Sequence, residues 1–137
     1  MVVVDTSALL AFLDAKDVSH GRVAAALAQA PRPLIVSALA VAELDYLVLS
    51  RYGVAAELAV LEALSSPAWR IIWLDQAEYR AALGLVRTYA DQRIGLTDAS
   101  ALILARRYQT NVVATLDRRH FSAVRLPTGE AVRIIPE

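Results

Sequence analysis

The sequence predicts one α/β domain with a parallel sheet of four to five short strands and helices on both of its faces. Three observations carry this. Short β-branched runs, almost wholly apolar, recur along the chain as in strands buried on both faces. Longer stretches with apolar residues at helical spacing alternate with them. The chain has 137 residues, enough for one domain and too few for two ordinary ones, so residues 1–137 read as one unit.

The first strand is residues 2–4, three valines ending in Asp5. Thr6 or Ser7 is expected to cap a helix over residues 8–13. A second helix runs from Asp17 or Ser19 through residue 28, broken by Pro31 and Pro33. Residues 34–36 are the second strand. Ser37 caps a long helix from residue 38 to about 51, which Gly53 stops. Residues 54–64 are helical and end at Ser65-Ser66-Pro67. The third strand is 69–74 (WRIIWL), followed by a helix over 76–89. Residues 90–95 are polar and turn-like. A helix over 97–108, a strand at 112–115 and a last strand at 132–135 complete the chain. There is no internal repeat, linker or low-complexity run.

Composition bounds the function. Hydrophobic residues make up 57% of the chain, with mean hydropathy +0.44. That implies a well-filled core or apolar surface hidden by a partner. The most apolar stretch, residues 34–49, contains Glu43 and Asp45 and is too short for a membrane span. The N-terminus lacks a basic start and carries Asp5 in its apolar part, so it is a poor signal peptide. Absence of cysteine removes disulfides and thiolate metal sites, and fits a cytoplasmic protein. The formal net charge is zero, so a general basic field for nucleic acid is missing. Lys16 is the only lysine; the other cations are arginines, which can grip phosphate with two parallel hydrogen bonds, although GC-rich coding accounts for the larger share of an Arg- and Ala-rich composition.

The acids carry the chemistry. In an open parallel sheet, sites form at the carboxyl ends of strands. Asp5 and Asp117 both end apolar strands there. Asp5 also suits a turn or helix cap, and from position alone the two readings stand level. Glu43 interrupts an apolar helix. Asp45 lies roughly 200° around that helix at 3.6 residues per turn, so the two cannot share a small site. The sequence does not choose between them. Asp98 stands in the first turn of its helix, where an acid also complements the dipole. Asp91 lies in the polar loop before it. His120 follows Asp117 closely but reads as a loop or packing residue, with no second His or Cys beside it; His20 reads as surface. Together the acids favour a hard divalent cation such as Mg²⁺, which takes one or two direct carboxylates while others hold its waters.

The segments VVVDTSALLAFLD, AVAELDYLV, RIGLTDASALILA and VVATLDRRHF, in this order, resemble those of a PIN-domain ribonuclease, in particular a VapC-type toxin of a toxin–antitoxin pair. The resemblance runs from Met1 to about Pro136. It implies a three-layer α/β/α sandwich and an Mg²⁺- or Mn²⁺-dependent endoribonuclease. It also implies homodimerisation and inhibition by a VapB-type antitoxin. The family's four acidic positions match Asp5, Glu43, Asp98 and Asp117. Metal ligation is expected from Asp5, Asp98 and Asp117, with Glu43 holding a water and Asp91 secondary. Thr6, Ser7 and Thr115 match hydroxyl positions and are expected to bind substrate. Arg118 and Arg119, with Arg93, would attract the RNA backbone. One departure is visible: many relatives read Asp-x-Asp-Phe where this chain has Asp117-Arg-Arg-His-Phe. The rival is a catalytically silent PIN-like protein that binds RNA or regulates without cutting.

Overall fold

Val3 and Val4 form the central strand of the sheet because both of its faces must be covered. In the computed structural model, which describes residues 1–137, they constitute β1 (Val3–Val4), followed by α1 (Thr6–Leu13) and α2 (His20–Ala28). Then come β2 (Leu34–Ser37), α3 (Ala38–Tyr52), α4 (Val54–Leu64), β3 (Trp69–Ile72) and α5 (Gln76–Thr88). A 3₁₀ turn at Ala90–Gln92 leads into α6 (Leu96–Arg107), β4 (Val112–Ala114), α7 (Arg118–Ser122) and β5 (Arg133–Ile135). All five strands are parallel, in the order β3-β2-β1-β4-β5. Val3 pairs with Ile35 on one side and Val113 on the other; Val4 pairs with Val36 and Ala114.

The pleat sends alternate side chains to opposite faces. Val3, Ile35, Val113 and Ile134 pack with α5 and α6, around Ala82, Leu102 and Phe121. Val2, Val4, Val36 and Ala114 pack on the other face, with Leu9, Val23, Leu27, Leu44 and Val48. The two clusters are the two interfaces of a three-layer α/β/α sandwich. No helix is long and apolar enough to cross a membrane.

Local chemistry moves several boundaries. The cap of α1 is Asp5, not Thr6 or Ser7: its side chain accepts from the Ala8 amide. β3 ends at Ile72, so Trp73 and Leu74 leave the sheet. The chain is turned there by Asp75, which with Glu78 forms a reciprocal capping box at the start of α5. Gly53 ends α3 and precedes α4 at φ 89°, a conformation that favours glycine. α7 was not expected. Asp117 caps it by accepting from the His120 amide, and Phe121 anchors it in the core.

Candidate active site

The ends of three strands and the helices that follow them build the site. β1 delivers Asp5, β4 delivers Asp117 three residues past its end, and β2 leads directly into α3 with Glu43. Opposite them stands the first turn of α6, with Asp98. Asp5, Thr6, Ser7, Glu43, Asp98 and Asp117 line one cavity of about 300 Å³, together with His120. Leu96 is the single hydrophobic residue in its wall.

Asp5 is only 4% exposed and is held by several donors. Ser7 Oγ donates to its Oδ1 at 2.8 Å, the Ala8 amide donates to Oδ1 at 3.1 Å, and Thr115 Oγ1 donates to Oδ2 at 2.6 Å. Both hydroxyls in turn accept from the backbone after β4. Leu116 N donates to Ser7 Oγ at 2.9 Å, and Asp117 N donates to Thr115 Oγ1 at 2.9 Å. Thr115 is 1% exposed. Ser7 and Thr115 therefore fix Asp5 to the β4 end, and their hydroxyl hydrogens are engaged there. The backbone under the site is similarly tied: Ser100 Oγ of α6 lies 2.8 Å from Ser37 Oγ, the cap of α3.

Electrostatics couples the acids. Burial pushes the Asp5 carboxyl up from 3.8 to about 6, against the lowering effect of its three hydrogen bonds; the charge of Asp98 raises it further. Asp98 is also raised, first by burial; the hydrogen bond from His120 lowers it, and the charges of Asp117 and Glu43 raise it. Like charges facing one cavity call for a cation between them.

His120 was read from the sequence as a packing or loop residue; the structure corrects this. Its Nδ1 lies 3.2 Å from Asp98 Oδ2 and 2.9 Å from Asp117 Oδ2. One ligand atom from each of Asp98, Asp117 and His120 falls within 4.8 Å of the other two. The available signal was the spacing of His120 three residues after Asp117, which becomes one helical turn once α7 is known.

The remaining expected residues divide. Glu43 lines the cavity from an exposed position on its rim, not from a buried apolar face. Asp45 does not line the cavity; its carboxylate lies near Glu57 of α4 and raises that carboxyl. Asp91 is exposed and does not line the cavity. Arg118 donates to the Pro136 carbonyl at 2.9 Å. Arg119 and Arg93 are exposed and line no part of the cavity. The donor set fits a hard divalent cation: carboxylate oxygens predominate and sulfur is absent. Thr6 Oγ1 adds a buried hydroxyl without a partner in the cavity wall.

A parallel sheet whose strand ends converge on clustered carboxylates defines a class, and the comparisons agree with it. The PIN domain family model matches residues 2–126, and the chain belongs to that family. Over 135 residues it is 47% identical to Ribonuclease VapC26 of Mycobacterium tuberculosis, covering 98% of this chain and 100% of that protein. The fold superposes on Mycobacterium tuberculosis VapC20, described as a sarcin-ricin loop cleaving toxin. There the TM-score is 0.81 at 21% identity, over 90% of this chain and 95% of that one. It also superposes on FitAcB of Neisseria gonorrhoeae, with TM-score 0.66 at 25% identity, over 88% and 91% of the two chains.

Proposed function

We infer that this protein is an endoribonuclease of the VapC type, the toxin of a toxin–antitoxin pair, which hydrolyses RNA phosphodiester bonds with Mg²⁺ or Mn²⁺. One observation carries the reading: Asp5, Glu43, Asp98 and Asp117, from four separate elements, face one polar cavity in a chain 47% identical to a VapC ribonuclease. Asp5, Asp98 and Asp117 would hold the cation. When bound, it supplies positive charge against the phosphodiester and activates water. Glu43, on the open rim, orients that water for in-line attack. His120 keeps Asp98 and Asp117 in register. Ser7 and Thr115 aim Asp5. Arg119, exposed beside the site, draws the RNA backbone, with Arg93 farther along the α6 loop. Thr6 offers its unpartnered hydroxyl to the cation's waters or to a phosphate oxygen.

Exposed apolar side chains support the proposed partners. Tyr46, Leu49, Tyr52, Val54, Leu58 and Leu61 of α3 and α4 are all exposed. A patch of that kind marks an interface. It is assigned to a second copy of the chain and to a VapB-type antitoxin, in the cytoplasm.

Purified protein incubated with total RNA and Mg²⁺, followed by mapping of new ends, tests the activity. Discrete cuts leaving 5′-phosphates are expected, lost with chelator and in Asp5→Asn. RNA that is retained but never cut would identify the silent binder instead.

A further inference from the structure

We propose that Trp73 and Tyr79 frame a pocket that takes one unpaired base of the RNA, stacked on the indole, next to the cavity that holds its phosphate. The inference rests on the endoribonuclease reading and adds a recognition element to it.

Trp73 directly follows β3, so it stands on the same rim of the sheet as Asp5 and Asp117. It is 76% exposed, and Tyr79 is 48% exposed. Its backbone is nevertheless firmly held. Arg107 Nη2 donates to the Trp73 carbonyl at 3.2 Å. The same guanidinium is paired with Glu78, and Glu78 is locked to Asp75 by the reciprocal cap of α5. The loop is thus fixed at both ends while its largest side chain is presented outward. With the backbone already held, only the two side-chain torsions of the indole are left to order on binding.

Between Trp73 and Tyr79 lies a pocket of about 130 Å³ floored by Leu39, Ile72 and Leu74, with no charged side chain in its wall. That volume suits a single ring system; a cavity of about 150 Å³ holds a benzene. A phosphate would find no cation there. Leu96 closes this pocket and also lines the acidic cavity, so the two are adjacent. One takes the charged end of a nucleotide and the other its flat apolar end. Unpaired RNA bases are recognised by such aromatic stacking. A second copy of the chain is less well matched to a one-ring pocket; the broad apolar face on α3 and α4 lies elsewhere.

The test compares Trp73→Ala, Trp73→Phe and Tyr79→Ala with the parent chain, on oligoribonucleotides of about ten nucleotides carrying a mapped cut. Trp73 is exposed, so its removal spares the core. Expected for Trp73→Ala is a rise in KM of roughly 5- to 100-fold, with kcat changed less than about threefold. Base preference beside the cut relaxes, and Trp73→Phe restores most of the loss. Addition of oligonucleotide quenches tryptophan fluorescence in the parent but not in Trp73→Phe. Unchanged KM and cut sites in Trp73→Ala overturn the pocket while leaving the nuclease standing. So does a shift from dimer to monomer in light scattering, which would make Trp73 a contact between copies. A parent chain that cuts no RNA removes the nuclease reading and the pocket together.

Discussion

Thr115 joins Asp5 to the far side of the site through one oxygen: its Oγ1 donates to Asp5 Oδ2 at 2.6 Å and accepts from the amide that precedes the Asp117 side chain at 2.9 Å. Thr115 and Asp5 are buried, so the Asp5 oxygen has little water to substitute for this donor. Thr115→Val keeps the shape and removes both bonds. Stability is expected to fall by about 1–3 kcal/mol, seen as a lower urea midpoint at unchanged slope. Thr115→Ser should recover most of it. A Val variant as stable as the parent would show that the hydroxyl does not hold the two ends.

Asp5 makes the metal-free protein sensitive to pH. Its folded pKa of about 6 lies above the 3.8 of the free side chain, so the folded state binds the proton more tightly. The unfolded chain holds fewer protons between these values, and stability falls as pH rises through them. The loss is complete above about pH 6 and reaches at most about 3 kcal/mol. Asp5→Asn in chelator should flatten the curve and melt higher than the parent at pH 7.5, while cleaving no RNA. Melting temperatures of the two proteins across pH 4 to 8 decide this.

A divalent cation is expected to reverse that loss. Ligand at a hundredfold excess over its dissociation constant stabilises by about 2.7 kcal/mol, a shift of several degrees for a domain of this size. Mg²⁺ or Mn²⁺ should raise the melting temperature of the parent and leave that of Asp98→Asn where it was. Equal shifts in both would place the cation elsewhere.

His120→Ala removes the imidazole lying between Asp98 and Asp117. The two carboxylates then lose the group between them and their alignment. Groups in such supporting positions typically change metal affinity or activity by about 10–100-fold. Cleavage by the variant should recover at high Mg²⁺, which separates a weakened site from a destroyed one.

The exposed side chains of α3 and α4 give an association test. Leu58→Lys places a charge on a residue that is 59% exposed, so folding is expected to be unaffected within about 0.5 kcal/mol. Light scattering should show the parent as a dimer and the variant shifted toward monomer. A parent that stays monomeric at micromolar concentration removes the homodimer.

The central strands were legible because they are short apolar, mostly β-branched runs, and Asp5 and Asp117 were legible because such runs end on them. Choosing Glu43 over Asp45 needed the tertiary contact of Asp45 with Glu57, since α3 is apolar nearly all round. α7 escaped because five residues cannot nucleate a helix alone; the Asp117 cap and the buried Phe121 make it. His120 was lost with it. Asp91 looked close to Asp98 in the chain. In the fold, Arg93 at φ 55° and the buried Ile94 intervene, and Asp91 is left in solvent.

The order of strands has a temporal side. β1 is made first but sits between β2 and β4, and Asp98 and Asp117 emerge from the ribosome more than ninety residues after Asp5. Until β4 slots in beside β1, Asp5 has neither Thr115 nor the acids opposite it. A half-synthesised chain therefore lacks the assembled acidic centre, which is completed only when translation is nearly done.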